Sequence, residues 1–285
     1  MVVEKQGQGV LRRCFTRHRN RVRSAFSDHL RVEAFVFTQL RQTSDSRGRA
    51  VRVASTAVTE AGARMTLGRM QNPVRGLLHG AAALVSIAGA ALLWMHSSGD
   101  LSTRTSLLVL GLTLVGLYTA SSLYHSVPWR PLWKQRLQRL DHAMIFLLIA
   151  GTFTPVAVIV LEGALRTVAL SAVWGIAALG AAQKLFWPRL GHACSVSLQV
   201  LQGWLALPLL LPLSDRLSGP ALALLVAGGL LYTVGMIAYA TQRPRLWPRV
   251  FSYHEVFHVF VVAGSASHWI MAFAYIAPYA RPLAG

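Results

Sequence analysis

The chain has 285 residues, of which 54% are hydrophobic and 13% are charged, and its mean hydropathy is +0.45. Soluble domains carry about 25% charged residues, so this composition excludes a water-soluble globular protein and predicts an integral membrane protein. The formal net charge of +18 does not indicate a nucleic-acid partner, because the basic residues lie between long apolar runs rather than in soluble domains.

The N-terminal segment, residues 1–69, has a different composition from the rest. It holds 14 of the 28 basic residues and 5 of the 10 acidic residues, and such a segment cannot bury a core. Two interpretations stay open: a basic, disordered cytoplasmic arm that contacts anionic lipid headgroups, or upstream sequence translated from a wrongly assigned start, with Met65 or Met70 as the true first residue. The basic cluster comprises Arg12, Arg13, Arg17, Arg19, Arg21 and Arg23.

Residues 70–285 contain seven apolar runs, each close to the ~20 residues that a helix needs to cross the hydrocarbon core. Strands of a membrane barrel would instead be short segments of alternating polarity. The chain is therefore predicted to be an all-α, polytopic membrane protein with seven transmembrane helices. The predicted spans are Gly76–Met95, Thr105–Val127, Leu140–Val160, Thr167–Leu185, Ala193–Leu213, Gly219–Ala240 and Tyr253–Ala277.

The charges of the connections predict an orientation. Connections that face the cytoplasm are enriched in Lys and Arg, and one side of the bundle carries most of these residues. We therefore expect a cytoplasmic N-terminus, an external C-terminus and a location in the cell membrane. The basic residues on the inner side are Arg75, Arg130, Lys134, Arg136, Arg139, Lys184, Arg189, Arg243, Arg245 and Arg249.

Ionisable residues inside a bilayer are costly, so they are candidates for function. His125 lies near the cytoplasmic end of the second span, Asp141 opens the third span, and His254 and His258 open the seventh span. The three spans are distant in sequence, yet they bring these side chains to one membrane depth.

The pair His254 and His258 has the i, i+4 spacing that lets two imidazoles on one helix face bind one metal ion. The segment from His254 to His258 also matches the H-E-x-x-H pattern of zinc proteases, but the extended pattern requires a histidine where Gly264 stands. The third ligand must come from elsewhere, and His125 is the best candidate by depth. Three histidines with an open fourth position are typical of a catalytic zinc site.

The residues around the predicted ligands suggest roles in acid–base chemistry. Ser121 lies one helical turn before His125 and can face the same cavity, with Ser122 as the alternative. Asp141 could accept a proton from a water molecule that the ion activates, although an Asp at a helix start could also act as a cap. Glu255 could be the base instead, as in the protease motif, and the sequence leaves this choice open.

The other histidines have a simpler interpretation. His79, His96, His142 and His192 are expected to bond neighbouring hydroxyl or carbonyl groups. His268 lies ten residues beyond His258, which places it about 15 Å deeper along the helix, too far to share the site.

Three blocks of sequence resemble the signature blocks of the hemolysin III family, within the wider progestin and adipoQ receptor group. They are SSLYH at Ser121–His125, LDH followed by IAGTFTP at 140–155, and HEVFH followed by AGSASH at 254–268. The resemblance implies seven helices and an intramembrane zinc ion held by His125, His254 and His258. It further implies that Asp141 holds a water molecule and that Ser121 assists by hydrogen bonding. Receptor members often have Gln at the position of Glu255.

The wider superfamily includes alkaline ceramidases, which implies a zinc-dependent hydrolase that cleaves a lipid amide or ester. The bacterial branch is also described as haemolytic and pore-forming, and in that alternative the metal is a structural clip between helices. A membrane receptor or sensor is the third alternative. The expected partners are membrane lipids, including a lipid substrate, and no nucleic acid.

Overall fold

The computed structural model describes residues 70–97, 100–187, 192–247 and 250–278. The predicted N-terminal arm, residues 1–69, lies outside the described residues. Within the described part, the chain forms eight α-helices, a 3-10 turn and one π-helical segment. The helices are α1 (Pro73–His96), α2 (Leu101–Ser126), α3 (Pro131–Val160), α4 (Gly163–Phe186), α5 (His192–Trp204), α6 (Leu210–Ser214), α7 (Gly219–Thr241) and α8 (Tyr253–Met271); the 3-10 turn is Leu207–Leu209 and the π segment is Ala272–Ile276.

The all-α fold class and the seven spans are confirmed. Seven helical segments in the described residues are long and apolar enough to cross a membrane. The fifth span, Cys194–Ser214, combines α5, the 3-10 turn and α6, and the seventh continues from α8 into the π segment. The cytoplasmic side of the N-terminus stays a prediction from the loop charges.

The largest differences from the predicted spans are in the third and fifth spans. α3 begins at Pro131 rather than Leu140, because proline fits the first helical position, where no backbone N–H is needed. Asp141 therefore lies well inside the helix, and the interpretation of Asp141 as a helix cap is wrong. The fifth span is interrupted where Pro208 lies in the 3-10 turn, whereas α3 continues through Pro155.

The helices pack in a ring that follows the order of the chain. α1 packs on α2, α2 on α3, α3 on α4 and α7 on α8, and α8 closes the ring against α1. α3 is the most deeply buried helix, and its side chains include the fully buried Phe146 and Ala150. Large apolar side chains such as Leu84 and Leu211 point outward, at 71% and 79% exposure. Exposed apolar surface on this scale fits a surface that contacts lipid.

Small residues let neighbouring helices approach closely, as is common in membrane bundles. A Cβ atom added at Gly180 of α4 would overlap the ring of Phe146 on α3. Because Phe146 is fully buried, its ring has no free space to enter. The close contact between α3 and α4 thus requires a glycine at position 180.

We expect Gly180→Ala to lower the stability of the bundle by about 1–3 kcal/mol, the usual effect of overpacking a core. Thermal unfolding of the detergent-solubilised protein measures this. Gly175→Ala is the matched control on the same helix, because a Cβ atom at position 175 meets nothing within 4 Å. Equal melting temperatures for the two variants would contradict the packing described here.

Candidate metal centre

The first turn of α8 is fixed by a capping box. The side chain of Ser252 accepts a hydrogen bond from the backbone N–H of Glu255, and Oε2 of Glu255 accepts one from the backbone N–H of Ser252 at 2.8 Å. Such reciprocal bonds satisfy the amide groups at a helix start that have no partner within the helix. These bonds therefore define where α8 begins, and with it the positions of His254 and His258 in the first turns of the helix.

Glu255 also connects α8 to α1. Nε of Arg75, in the first turn of α1, donates to Oε1 of Glu255 at 2.7 Å. Both oxygens of this carboxylate thus have partners outside the histidine cluster, namely Arg75 and the backbone of Ser252. Its observed contacts belong to helix packing, and none of them is with a predicted ligand.

Three histidines come together where α2 ends and α8 begins. The ligand atoms of His125, His254 and His258 all lie within 4.8 Å of one another. His125 and His258 are each 2% exposed, and the distances between the three ring centres are 5.0–5.4 Å. The depth argument made from the sequence therefore identified side chains that are in contact.

The histidine cluster fits a zinc ion. With Zn–N bonds of 2.0–2.1 Å, ligands at tetrahedral corners are about 3.3 Å apart, so modest movements of the three rings would form the site. Nε2 of His125 is buried and has no hydrogen-bond partner among the residues that the structure describes. A buried polar atom without a partner is rare, and a metal ion would supply the missing interaction. Imidazole ligands suit zinc among several divalent ions.

A carboxylate and a hydroxyl lie beside the cluster. Oδ2 of Asp141 is 4.0 Å from Nε2 of His125, and Ser121 is a hydrogen-bonding neighbour of this carboxylate. Ser121 is 1% exposed and Asp141 is 8% exposed. The alternative residue, Ser122, instead donates to the carbonyl of Gly76 on α1 at 2.9 Å, so Ser121 is the serine beside the cluster.

His79 of α1 also reaches the cluster, which the sequence interpretation missed. Nδ1 of His258 lies 2.9 Å from Nε2 and 3.2 Å from Nδ1 of His79, and His79 is 3% exposed. The sequence did carry a signal, because His79 and His258 lie three and five residues after the predicted starts of the first and seventh spans, and both spans are predicted to begin on the same side of the membrane. His268 does lie apart, with Nε2 at 3.0 Å from the carbonyl of Leu225.

A cavity of about 430 Å³ opens beside the cluster and extends between α3, α5, α7 and α8. Its lining includes the polar residues Asp141 and His254, and apolar side chains such as Phe153 and Leu210 form much of its wall. This volume lies within the range of ~300–1,000 Å³ that is common for small-molecule sites. The cavity therefore connects the candidate metal centre with an apolar space inside the bundle.

Comparison with known proteins agrees with this architecture. The family model described as haemolysin-III related matches residues 68–269. The chain belongs to this family. It is 34% identical to "Hemolysin-3" of Bacillus cereus over 225 residues, which are 78% of this chain and 100% of that protein. It is 32% identical to "Hemolysin-3 homolog" of Bacillus subtilis (strain 168) over 201 residues, 70% of this chain and 91% of that protein. The resemblance inferred from the three sequence blocks is thus confirmed.

Because a ligating histidine usually bonds a second group through its other ring nitrogen, we expect His79→Leu to weaken metal binding by about 10–100-fold. Titration with Co²⁺, followed by its visible absorption, measures this affinity directly. His79→Gln keeps a hydrogen-bonding group and should bind more tightly than His79→Leu. His96→Leu is the control, because His96 stacks on Phe273 at the other end of α1; unchanged affinity in both His79 variants would refute the prediction.

Proposed function

We propose that this protein is a zinc-dependent membrane hydrolase that cleaves an amide or ester of a lipid. The observation that carries the proposal is the combination of three converging imidazoles, a buried carboxylate bonded to a serine, and an adjoining apolar cavity. A structural metal site needs its ligands alone. The additional carboxylate and the cavity are what a hydrolytic site would use.

His125, His254 and His258 would hold the ion. A zinc ion there would supply Lewis acidity, polarising a substrate carbonyl and making a water molecule more acidic. The chain's own contribution begins with the burial of these rings, because a site shielded from bulk water strengthens every electrostatic interaction within it.

Asp141 is the residue of this chain that would move the proton. Its Oδ2 atom lies at the edge of the cluster, 4.0 Å from Nε2 of His125, where it could take a proton from the attacking water and return it to the leaving group. The hydroxyl of Ser121 would hold this carboxylate in place by hydrogen bonding. We favour Asp141 over Glu255 as the base because both Glu255 oxygens already bind Arg75 and the Ser252 backbone.

The cavity would hold the hydrocarbon part of the substrate. Its walls are largely apolar, and its lining also includes Asp141 and His254. A lipid with its chain along the cavity would thus place its amide or ester group beside the carboxylate that moves the proton. Holding the two reacting groups together in this way lowers the entropic part of the barrier.

We expect purified wild-type protein to contain zinc and His258→Ala to lose both zinc and hydrolysis. Asp141→Asn should keep the metal and lose about 10²–10⁴-fold in kcat, whereas Glu255→Gln should keep most of its activity. Elemental analysis and release of a fluorescent fatty acid from an amide and an ester with the same acyl chain measure these effects. Asp100→Asn is the control, because Asp100 caps α2 with a bond to the Thr103 backbone.

Hydrolysis that survives in a metal-free His258→Ala protein would refute the enzyme proposal. Wild-type protein that contains the metal but cleaves neither substrate in any lipid environment would also refute it. The metal would then have a structural role, and Asp141 would not be a base. Loss of activity in Glu255→Gln, at an unchanged melting temperature, would transfer the role of the base to Glu255.

A second candidate function is lysis of membranes, which the names of the two Bacillus relatives favour. In that case the metal would act as a clip that joins α2 and α8. Wild-type protein should then release a dye trapped in liposomes, and a folded His258→Ala variant should still release it. Liposomes that retain their dye at every protein concentration would exclude this function.

A further inference from the structure

Lys184 occupies an unexpected position in the bundle. From its charge, we expect Lys184 in the connection between the fourth and fifth spans. It lies instead in the last turn of α4. The side chain lines the cavity that also includes Asp141 and His254, and it is 9% exposed. A basic residue thus contributes to the lining of a largely apolar space.

No carboxylate within the described ranges lies close enough to neutralise Lys184. Each ion pair found there joins other residues: Arg75 with Glu255, and Arg216 with Glu162. A buried charge is costly unless it is paired.

The facing wall of the cavity adds hydrogen-bonding groups. Gln199 and Ser195 of α5 line the same cavity and are 7% and 1% exposed. The hydroxyl of Ser195 is already committed, because it donates to Oε1 of Gln183 at 2.6 Å. The amide of Gln199 is a donor that this cavity can offer to an oxygen anion.

We propose that Lys184 and Gln199 form an anion-binding site in this cavity, and that its ligand is a lipid with a phosphate or carboxylate group. The anion would pair with the ammonium of Lys184, and the chain would lie along apolar wall residues such as Phe153 and Leu207. The net attraction arises because the ligand's charge offsets the cost of burying the ammonium, while its chain is removed from water. This inference concerns binding and holds whether or not the chain hydrolyses lipids.

The matched probes are oleoyl lysophosphatidate and monooleoylglycerol, which share one acyl chain and differ in the phosphate. We expect wild-type protein in detergent to bind the lysophosphatidate at least tenfold more tightly, measured by titration and by the rise in melting temperature that binding causes. Lys184→Gln should reduce this preference to about one, and Lys184→Arg should retain it. Lys134→Gln removes a basic residue from the start of α3 and is the control that should keep the full preference.

Two further probes separate the sources of the anion. Oleate tests the carboxylate, and inorganic phosphate tests whether the anion binds without a chain. Tight binding of oleate with the same dependence on Lys184 supports a carboxylate ligand, and phosphate that competes with the lysophosphatidate in wild-type protein but not in Lys184→Gln locates the anion at this residue.

An equal affinity of wild-type protein for lysophosphatidate and monooleoylglycerol overturns the proposal without any variant. A preference that persists undiminished in folded Lys184→Gln overturns it too, because the phosphate would then bind elsewhere, for example at the basic ends of the helices. Loss of the metal in His258→Ala leaves this experiment readable, so failure of the anion site and failure of the hydrolase are distinguishable.

Discussion

The candidate centre depends on where the first turn of α8 lies relative to α1 and α2. His254 and His258 are within reach of His125 because α8 begins at Tyr253, and the reciprocal bonds of Ser252 and Glu255 define that start. The ion pair from Glu255 to Arg75 then fastens the same turn to α1. Surface ion pairs contribute little, but this one has a buried carboxylate with both oxygens bonded. Glu255 therefore acts on the histidines through helix position, although its sequence motif suggests a role in chemistry.

Much of the fold and of the candidate site could be predicted from the sequence, because a membrane imposes a one-dimensional order on the chain. Each span crosses the same thickness, so counting residues from the span ends gives the depth of each side chain. Depth alone brought His125, Asp141, His254 and His258 together, and the structure confirms that the three histidines are neighbours. The sequence did not give the ends of the helices equally well. α3 begins nine residues before the predicted Leu140, because proline is favoured at the first position of a helix.

Depth does not give the angle at which a residue faces its neighbours, and this limits what the sequence could predict about His79 and Lys184. Both residues lie near the same end of the bundle as the metal centre, and either could have pointed to lipid. His79 faces α8 because α1 closes the ring against α8, a contact between the first and last spans that no local pattern encodes. Lys184 faces the cavity because α4 packs on α3 through the close contact of Gly180 with Phe146, which fixes the rotation of α4 one turn earlier.

The same packing explains why polar groups can accumulate at one end of an otherwise apolar bundle. A charged or polar side chain is tolerated at membrane depth when it has a partner or faces a cavity, and the described residues satisfy this in three ways. Glu255 has an ion pair and a capping box, Asp141 has Ser121, and His258 has His79. Nε2 of His125 lacks a hydrogen-bond partner among these residues, and Lys184 forms no ion pair among them. His125 belongs to the histidine cluster, and Lys184 lines the adjoining apolar cavity. A cation bound by the histidines and an anionic lipid bound at Lys184 would therefore supply the two missing partners.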